Sequence, residues 1–196
     1  MKTSPKIHTE VIESCKAGDR KAFEEMVLTY QKKVFNLAYR ILGNMEEAKD
    51  LAQEVFLTVF ESIKAMKEEI KFESWLTQIT LNHCRNRWKY FKRRHSFNSY
   101  SLEDPIETED GEMARLFTDP SDNPEISYER KMIQQFVQRG LLRLKEDQRE
   151  LLVLRDIQGL SYEEIGDLFK LPLGTIKSKI HRARMDLKRI LDKASH

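Results

Sequence analysis

Residues 159–190 read GLSYEEIGDLFKLPLGTIKSKIHRARMDLKRI, and this stretch decides the fold class. Its spacing predicts two short helices joined by a tight turn. Ser161 is placed to cap the first, with Glu164 three residues on completing a capping box. Ile165, Leu168 and Phe169 supply the buried side, and Pro172 and Gly174 punctuate the chain before a second helix that Thr175 is placed to cap. In that helix Ile176, Ile180, Ala183, Leu187 and Ile190 recur at steps of four and three, the period of a single helical face. Ser178, His181, Arg182 and Met185 then point away from the stripe, with Lys177, Arg184 and Lys188 on its flank. An apolar back and a basic front suit the recognition helix of a helix-turn-helix, which packs on a small core while its front meets phosphates and base edges. Taken alone, the stretch also fits a helical hairpin whose cations merely face water.

Working outward, the chain has 196 residues, enough for one large domain or two small ones. Its apolar fraction of 40% and charged fraction of 34% suit small helical domains with modest cores. The net charge of +2 conceals segregated blocks of opposite sign, so pattern outweighs sum. The two cysteines, Cys15 and Cys84, form no CxxC and no disulfide framework, which points to a reducing, cytoplasmic setting. His83 beside Cys84 lacks the further ligands a metal site needs. No signal peptide is expected, since Lys2, Lys6, His8 and Glu10 precede any apolar run, and no apolar run approaches the length of a membrane span.

Upstream, the residues before about Asp19 show little pattern and are expected to pack lightly. From Arg20, Phe23, Val27, Tyr30, Val34, Leu37, Ala38 and Ile41 share a helical face, which Gly43 ends; Asn44 with Glu47 starts the next helix. That helix buries Ala48, Leu51, Ala52, Val55, Val59 and Ile63. Its outer side is acidic and polar (Glu46, Glu47, Asp50, Gln53, Glu54), with Phe56 and Phe60 beside it. Such a face is a solvated surface or, given the aromatics, a protein-docking one.

A third helix from about Phe72 has an inner side traced by Phe72, Leu76, Ile79 and His83 or Asn86. Between Arg85 and Arg94 it carries six cations and no acid (Arg85, Arg87, Lys89, Lys92, Arg93, Arg94), interleaved with Trp88, Tyr90 and Phe91. Cations for phosphates and aromatics for unstacked bases indicate nucleic-acid contact beyond what helix-dipole compensation requires. Residues 96–125 then hold nine acids against one base, Arg115, with three prolines; this is an acidic linker. Order resumes at Asn123-Pro124, a cap and first-turn proline, in a helix burying Ile126, Ile133, Phe136, Val137 and Leu141. Asp147 with Glu150 signals another cap ahead of LLVLRDI, closed by Gly159. No segment alternates with period two, so the fold class is all-α. Two small helical domains, 1–95 and 125–196, are joined by the linker at 96–124, and the second carries the helix-turn-helix.

Three blocks in this order resemble the sigma factors of bacterial RNA polymerase, specifically the small two-domain extracytoplasmic function group. MEEAKDLAQEVFLTVF (45–60) resembles the helix that docks on the polymerase clamp. FESWLTQITLNHCRNRWKYFKRR (72–94) is similar to the segment that melts and reads the downstream promoter element. LVLRDIQGLSYEEIGDLFKLPLGTIKSKIHRARMDL (152–187) is similar to the upstream-element helix-turn-helix. The resemblance implies that Asp50, Gln53, Glu54 and Phe56 bind core RNA polymerase. It implies that Asn82, Arg85 and Asn86 meet the downstream strand, with Arg87, Lys89, Arg93 and Arg94 on phosphates. It further implies upstream-element contacts by Arg155, Tyr162, Glu163, Thr175, Lys177, Ser178, His181, Arg182 and Arg184.

Also implied are promoter DNA as ligand, an anti-sigma factor that holds the protein inactive in a stress or envelope response, and a linker threaded through the polymerase's RNA path. Two departures stand out. Lys170 occupies a turn position where the family usually has glycine, at a cost of roughly 1–2 kcal/mol if the backbone is left-handed. His181 falls at a variable groove position. No cofactor, metal or membrane insertion is expected, and no nucleophile, carboxylate pair or phosphate-cradling glycine loop marks an enzyme. The alternative from another class is a stand-alone regulator that binds a duplex palindrome as a dimer.

Overall fold

The structure, a computed structural model, describes residues 9–67, 71–93 and 124–194. Among these it is all-helical, with eight α-helices in chain order. The N-terminal group is α1 (Thr9–Ala17), α2 (Arg20–Leu42), α3 (Met45–Ser62) and α4 (Phe72–Arg93). The C-terminal group is α5 (Pro124–Leu142), α6 (Glu146–Leu152), α7 (Tyr162–Phe169) and α8 (Leu173–Ala194). A π-helical turn, Val153–Ile157, extends α6. The acidic linker, Asn123 and Arg94 lie outside the described residues, as does the side chain of Ile126.

The helices begin and end where local chemistry allows. Asp19 caps α2 by accepting from the Lys21 and Ala22 amides, and Gly43 closes that helix in the left-handed conformation at φ 78°. Asn44 then accepts from the Glu47 amide to start α3. Such caps satisfy amides that a helix's first turn leaves without partners. Residues 9–17 of the lead-in are more ordered than their composition suggests, because α1 packs on α2 and buries Cys15. Met26, Tyr30, Val34, Leu37, Ala38 and Ile41 of α2 meet Ala48, Leu51, Val55 and Val59 of α3 in the N-terminal core.

The inner face of α4 differs from the expected line. Phe72, Leu76, Thr77, Thr80, Leu81 and Cys84 are the buried residues, while Ile79 and His83 are half-buried and Asn86 is exposed. Threonine can take these positions because its hydroxyl is satisfied within the helix: Thr77 donates to the Glu73 carbonyl at 2.7 Å and Thr80 to the Leu76 carbonyl at 2.8 Å.

In the C-terminal group Ile133 is exposed, not buried, and Phe136 and Val137 are only half-buried. Here α5 turns inward the face carrying Gln138, Gly140 and Leu141, and Gly140 permits Leu187 and Leu191 of α8 to approach its backbone. Helix α6 starts at Glu146 without a side-chain cap from Asp147; the Glu150 carboxylate is engaged elsewhere. The capping box of α7 forms as its spacing predicts, with Ser161 and Glu164 exchanging bonds at 3.0 and 2.8 Å. Helix α8 begins at Leu173, so Thr175 sits within its first turn and is not the cap.

At the α7–α8 turn Lys170 adopts the left-handed conformation, φ 54° and ψ 45°, and its amide donates to the Gly166 carbonyl. Among the described residues it is the only non-glycine with positive φ. The turn therefore keeps a glycine-type backbone and carries the side chain at a cost. Replacing Lys170 with Gly is expected to stabilise the chain by about 1 kcal/mol, the left-handed penalty less the extra entropy glycine loses on folding. A urea titration checks this, and a midpoint that falls in Lys170→Gly contradicts it.

Candidate nucleic-acid interface

Along α8 the buried residues are Ile176, Ile180 and Ala183, with Leu187 and Ile190 packed beside them. Lys177, Ser178, His181, Arg182, Arg184 and Met185 are all exposed, while Thr175 is half-buried. The exposed side chains thus form one basic face ahead of an apolar back, as the helical period requires. Tyr162 of α7 anchors its edge: the Arg155 guanidinium lies 4.4 Å from the ring centroid and the Lys177 ammonium 5.9 Å from it. Arg155 also donates to the Leu160 carbonyl at 2.6 Å. Two cations on one ring are held by the negative face of its π-system. Arg184 pairs with Asp156, and that carboxylate holds its pKa above the usual arginine value. The pair is exposed, so it is weak enough to yield to a phosphate. Glu163 is exposed at the start of α7.

A second set lies on α4. Asn82, Asn86, Lys89 and Arg93 are exposed, one helical turn apart from member to member. The Asn82 side-chain oxygen accepts from Gln78 at 3.0 Å. Asparagine amides offer a donor and an acceptor to a base edge, and neighbouring cations hold the backbone. Arg87 and Arg85 differ from the others in being engaged. Arg87 bridges Glu47 and Glu54 of α3, each at 2.6 Å, which ties one expected downstream-strand residue to the expected docking helix. Glu54 also lies 3.6 Å from His83, whose other ring nitrogen is 3.0 Å from the Thr58 hydroxyl. Arg85 forms a bidentate pair with Glu150 of α6, through Nε at 2.9 Å and Nη2 at 2.6 Å.

On α3, Asp50, Gln53 and Glu54 are exposed on the outer face. Phe56 departs from expectation: at 8% exposure it is a core side chain and is not offered to a partner. Its place on the surface is taken by Leu57, 64% exposed, and Phe60, 52% exposed, the latter edge-on to Phe23 at 5.1 Å. Leu57 was not signalled by the periodicity, since it sits in the apolar run VFLTVF; its position seven residues after Asp50, two helical turns, was the available clue.

Burial raises the pKa of both thiols, Cys15 to about 11 with Asp19 and Glu25 adding to the effect, and Cys84 further. Both therefore stay protonated and unreactive at neutral pH. No cluster of His, Cys, Asp and Glu suited to a metal ion occurs among the described residues. No described helix is long and apolar enough to cross a membrane.

A helix-turn-helix with an exposed basic face, set beside a second helix bearing amides and cations, fits the class of DNA-reading proteins of the two-part kind. The comparisons narrow the class. Residues 26–95 match sigma-70 region 2 and residues 137–187 match sigma-70 region 4. The RNA polymerase sigma-H factor of Pseudomonas aeruginosa is 33% identical over 89% of this chain and 89% of its own length. The ECF RNA polymerase sigma factor SigW of Bacillus subtilis is 33% identical over 92% and 94%, and the ECF RNA polymerase sigma-E factor of Escherichia coli K12 is 33% identical over 89% and 88%. The chain belongs to the sigma-70 family of RNA polymerase sigma factors, in its extracytoplasmic function group.

Its fold is shared with two solved structures. CnrH, in complex with the cytosolic domain of CnrY, superposes with a TM-score of 0.64 at 22% identity, over 94% of this chain and 96% of that one. The sigma factor RpoE of Bartonella quintana, in complex with the anti-sigma factor NepR, gives 0.63 at 21%, over 88% and 98%.

Proposed function

We propose that this chain acts in the cytoplasm as an alternative sigma factor that divides promoter recognition between its two helical groups. In this reading α3 docks on core RNA polymerase through Asp50, Gln53, Glu54, Leu57 and Phe60. Asn82, Asn86, Lys89 and Arg93 of α4, with Arg85 and Arg87 when released, hold the unpaired downstream strand. Helix α8 enters the major groove of the upstream element, supported by Arg155 and Tyr162. Catalysis of RNA synthesis belongs to the polymerase. An anti-sigma factor, the partner named for the Bartonella structure, is proposed as the regulator here too.

The observation that carries the reading is the exposure, on one chain, of α8's basic face and of α4's Asn82–Asn86 row. Duplex in one place and single strand in the other is the division of labour that promoter opening demands. Run-off transcription with purified core polymerase tests it, and absence of a promoter-specific transcript overturns it. Within that assay Arg182→Ala is expected to weaken upstream-duplex binding by about 1–3 kcal/mol and to relax preference at one base position, as loss of a base contact does. An unchanged preference across a promoter library removes Arg182 from that role.

A further inference from the structure

The π-helical turn Val153–Ile157 sets two side chains of opposite charge beside the basic face of α8. Its wide closure, from the Gln158 amide to the Val153 carbonyl at 2.9 Å, is of a kind that recurs at functional sites. Arg155 lies over the Tyr162 ring and is pinned further by the Leu160 carbonyl. Asp156, the next residue, is turned to α8 instead. Its carboxylate grips Arg184 through two bonds, from Nε to Oδ2 at 3.0 Å and from Nη2 to Oδ1. Asp156 first, and the Tyr162 oxygen after it, hold the Arg184 pKa above the usual arginine value. The neighbouring cations are treated differently. Lys177 lies near the same ring, and neither it nor Arg155 or Arg182 pairs with a carboxylate among the described residues.

We propose that Asp156 sets the specificity of upstream-duplex binding, by holding Arg184 in one orientation and so withholding it from the phosphates of unmatched DNA. The proposal rests on the reading of α8 as the upstream-element helix. An arginine has five donor protons and Asp156 engages two, which leaves three for a phosphate that arrives at the right place. On a matched duplex the base contacts of α8 fix that place, and Arg184 reaches its phosphate without leaving Asp156.

On an unmatched duplex the helix is held by charge alone, in no fixed register. A phosphate then has to draw Arg184 off the carboxylate, exchanging one ion pair for another with little net gain. The carboxylate itself repels the phosphate as it approaches. Pinning thus removes a sequence-independent contact and spares the sequence-dependent one. That widens the ratio of matched to unmatched binding, the quantity on which finding a promoter among competing sites depends. The pair is exposed, 47% for Arg184 and 39% for Asp156, so the fold does not rely on it.

The test uses holoenzyme assembled from the full chain and core polymerase, with two labelled duplexes. One has random sequence; the other is the duplex that the parent holoenzyme enriches from a random library. With Asp156→Asn, affinity for the random duplex is expected to rise about eightfold at about 0.1 M salt, and the slope of log affinity against log salt to steepen by about 0.9, the counterion release of one further phosphate contact. Affinity for the enriched duplex is expected to change by less than about twofold, because its Arg184 contact is already made. Asp156→Asn combined with Arg184→Gln carries the parent's net charge and is expected to restore the parent's random-duplex affinity and slope. Asp156→Ser serves as a second uncharged replacement, and circular dichroism establishes that each variant is folded. An unchanged affinity and slope on the random duplex overturn the proposal, as does an equal gain on both duplexes. A gain that survives in the double variant comes from lost repulsion alone and overturns the restraint of Arg184. If the parent enriches no duplex, the reading of α8 fails and the proposal falls with it. Enrichment with an unchanged ratio leaves that reading standing and removes only Asp156.

Discussion

Replacing Arg149 with Ala is expected to cost about 3–5 kcal/mol of stability, because it strips several buried carbonyls of a charged donor, each such loss costing about 1–3 kcal/mol. The arginine sits where the C-terminal ends of α2 and α5 converge, where the last carbonyls of a helix lack their usual partners; Leu141 also accepts from the Leu144 amide and Ile41 from the Trp88 indole. One planar fork answers four of them, Ile41, Leu141, Leu142 and Leu144. The dipoles of both helices favour a cation there. Burial lowers the Arg149 pKa to about 10, so the group is still charged at neutral pH despite its desolvation. Removing the side chain takes the guanidinium donor from the Leu142 and Leu144 carbonyls and opens a void beside Trp88. Lys in its place keeps the charge but lacks the fork, and it is expected to recover only part of the loss. Thermal denaturation of the three proteins decides the matter. A loss under about 1 kcal/mol in Arg149→Ala would mean that water replaces the guanidinium at little cost, against the buried-network account.

That residue marks the boundary of what the amino-acid order could reveal. Helix identity followed from period, and helix ends from chemistry that acts over a few residues: Asp19 and Asn44 at starts, Gly43 at a stop, the Ser161–Glu164 box. The basic face of α8 was legible because the buried stripe opposite it is strictly spaced. Even the left-handed turn could be located, at Lys170. Side chains with two plausible uses were not decidable this way. Glu150 has the spacing of a capping partner for Asp147, yet it bonds Arg85, 65 residues away in sequence. On α4, Ile79 and His83 lie one residue, about 100° of arc, from the buried Thr80 and Cys84. Composition favours the isoleucine; packing against α2 and α3 favours the smaller residues. Phe56 and Leu57 pose the same problem in reverse, since both are apolar and only tertiary packing selects which is buried.

The acidic and basic sets of the N-terminal group also share residues in a way that charge counting misses. Glu54 faces solvent as part of the expected docking surface while it holds Arg87 at 2.6 Å, and Arg87 in turn belongs to the expected strand-binding set. A polymerase group that takes Glu54 would release part of Arg87's ion pairing. Arg85, also in the proposed strand-binding set, is paired with Glu150, so both interior arginines of α4 are held by carboxylates. The two outermost amides, Asn82 and Asn86, remain exposed. In the proposed reading, availability to the strand is thus graded along α4.

Leu57→Asp is expected to weaken association with core polymerase by about 2–4 kcal/mol, the loss when an anchor at the centre of an interface is removed. Leu57 is 64% exposed on α3 and Phe60 52%, and both lie on the solvent side of a helix whose opposite face is fully packed. An apolar pair beside Asp50, Gln53 and Glu54 has the make-up of an interface core with a polar rim. The substitution puts a charge where a partner would exclude water, yet in the free chain it meets only solvent, so the melting temperature should hardly move. That separation makes the experiment informative. A folded Leu57→Asp chain that co-elutes with core polymerase as the parent does would exclude this face as the docking site. If instead it loses the polymerase but still binds the upstream duplex through α8, docking and promoter reading occupy separate surfaces. A stand-alone duplex regulator would show no such dependence, because nothing in its binding to DNA requires the outer face of α3.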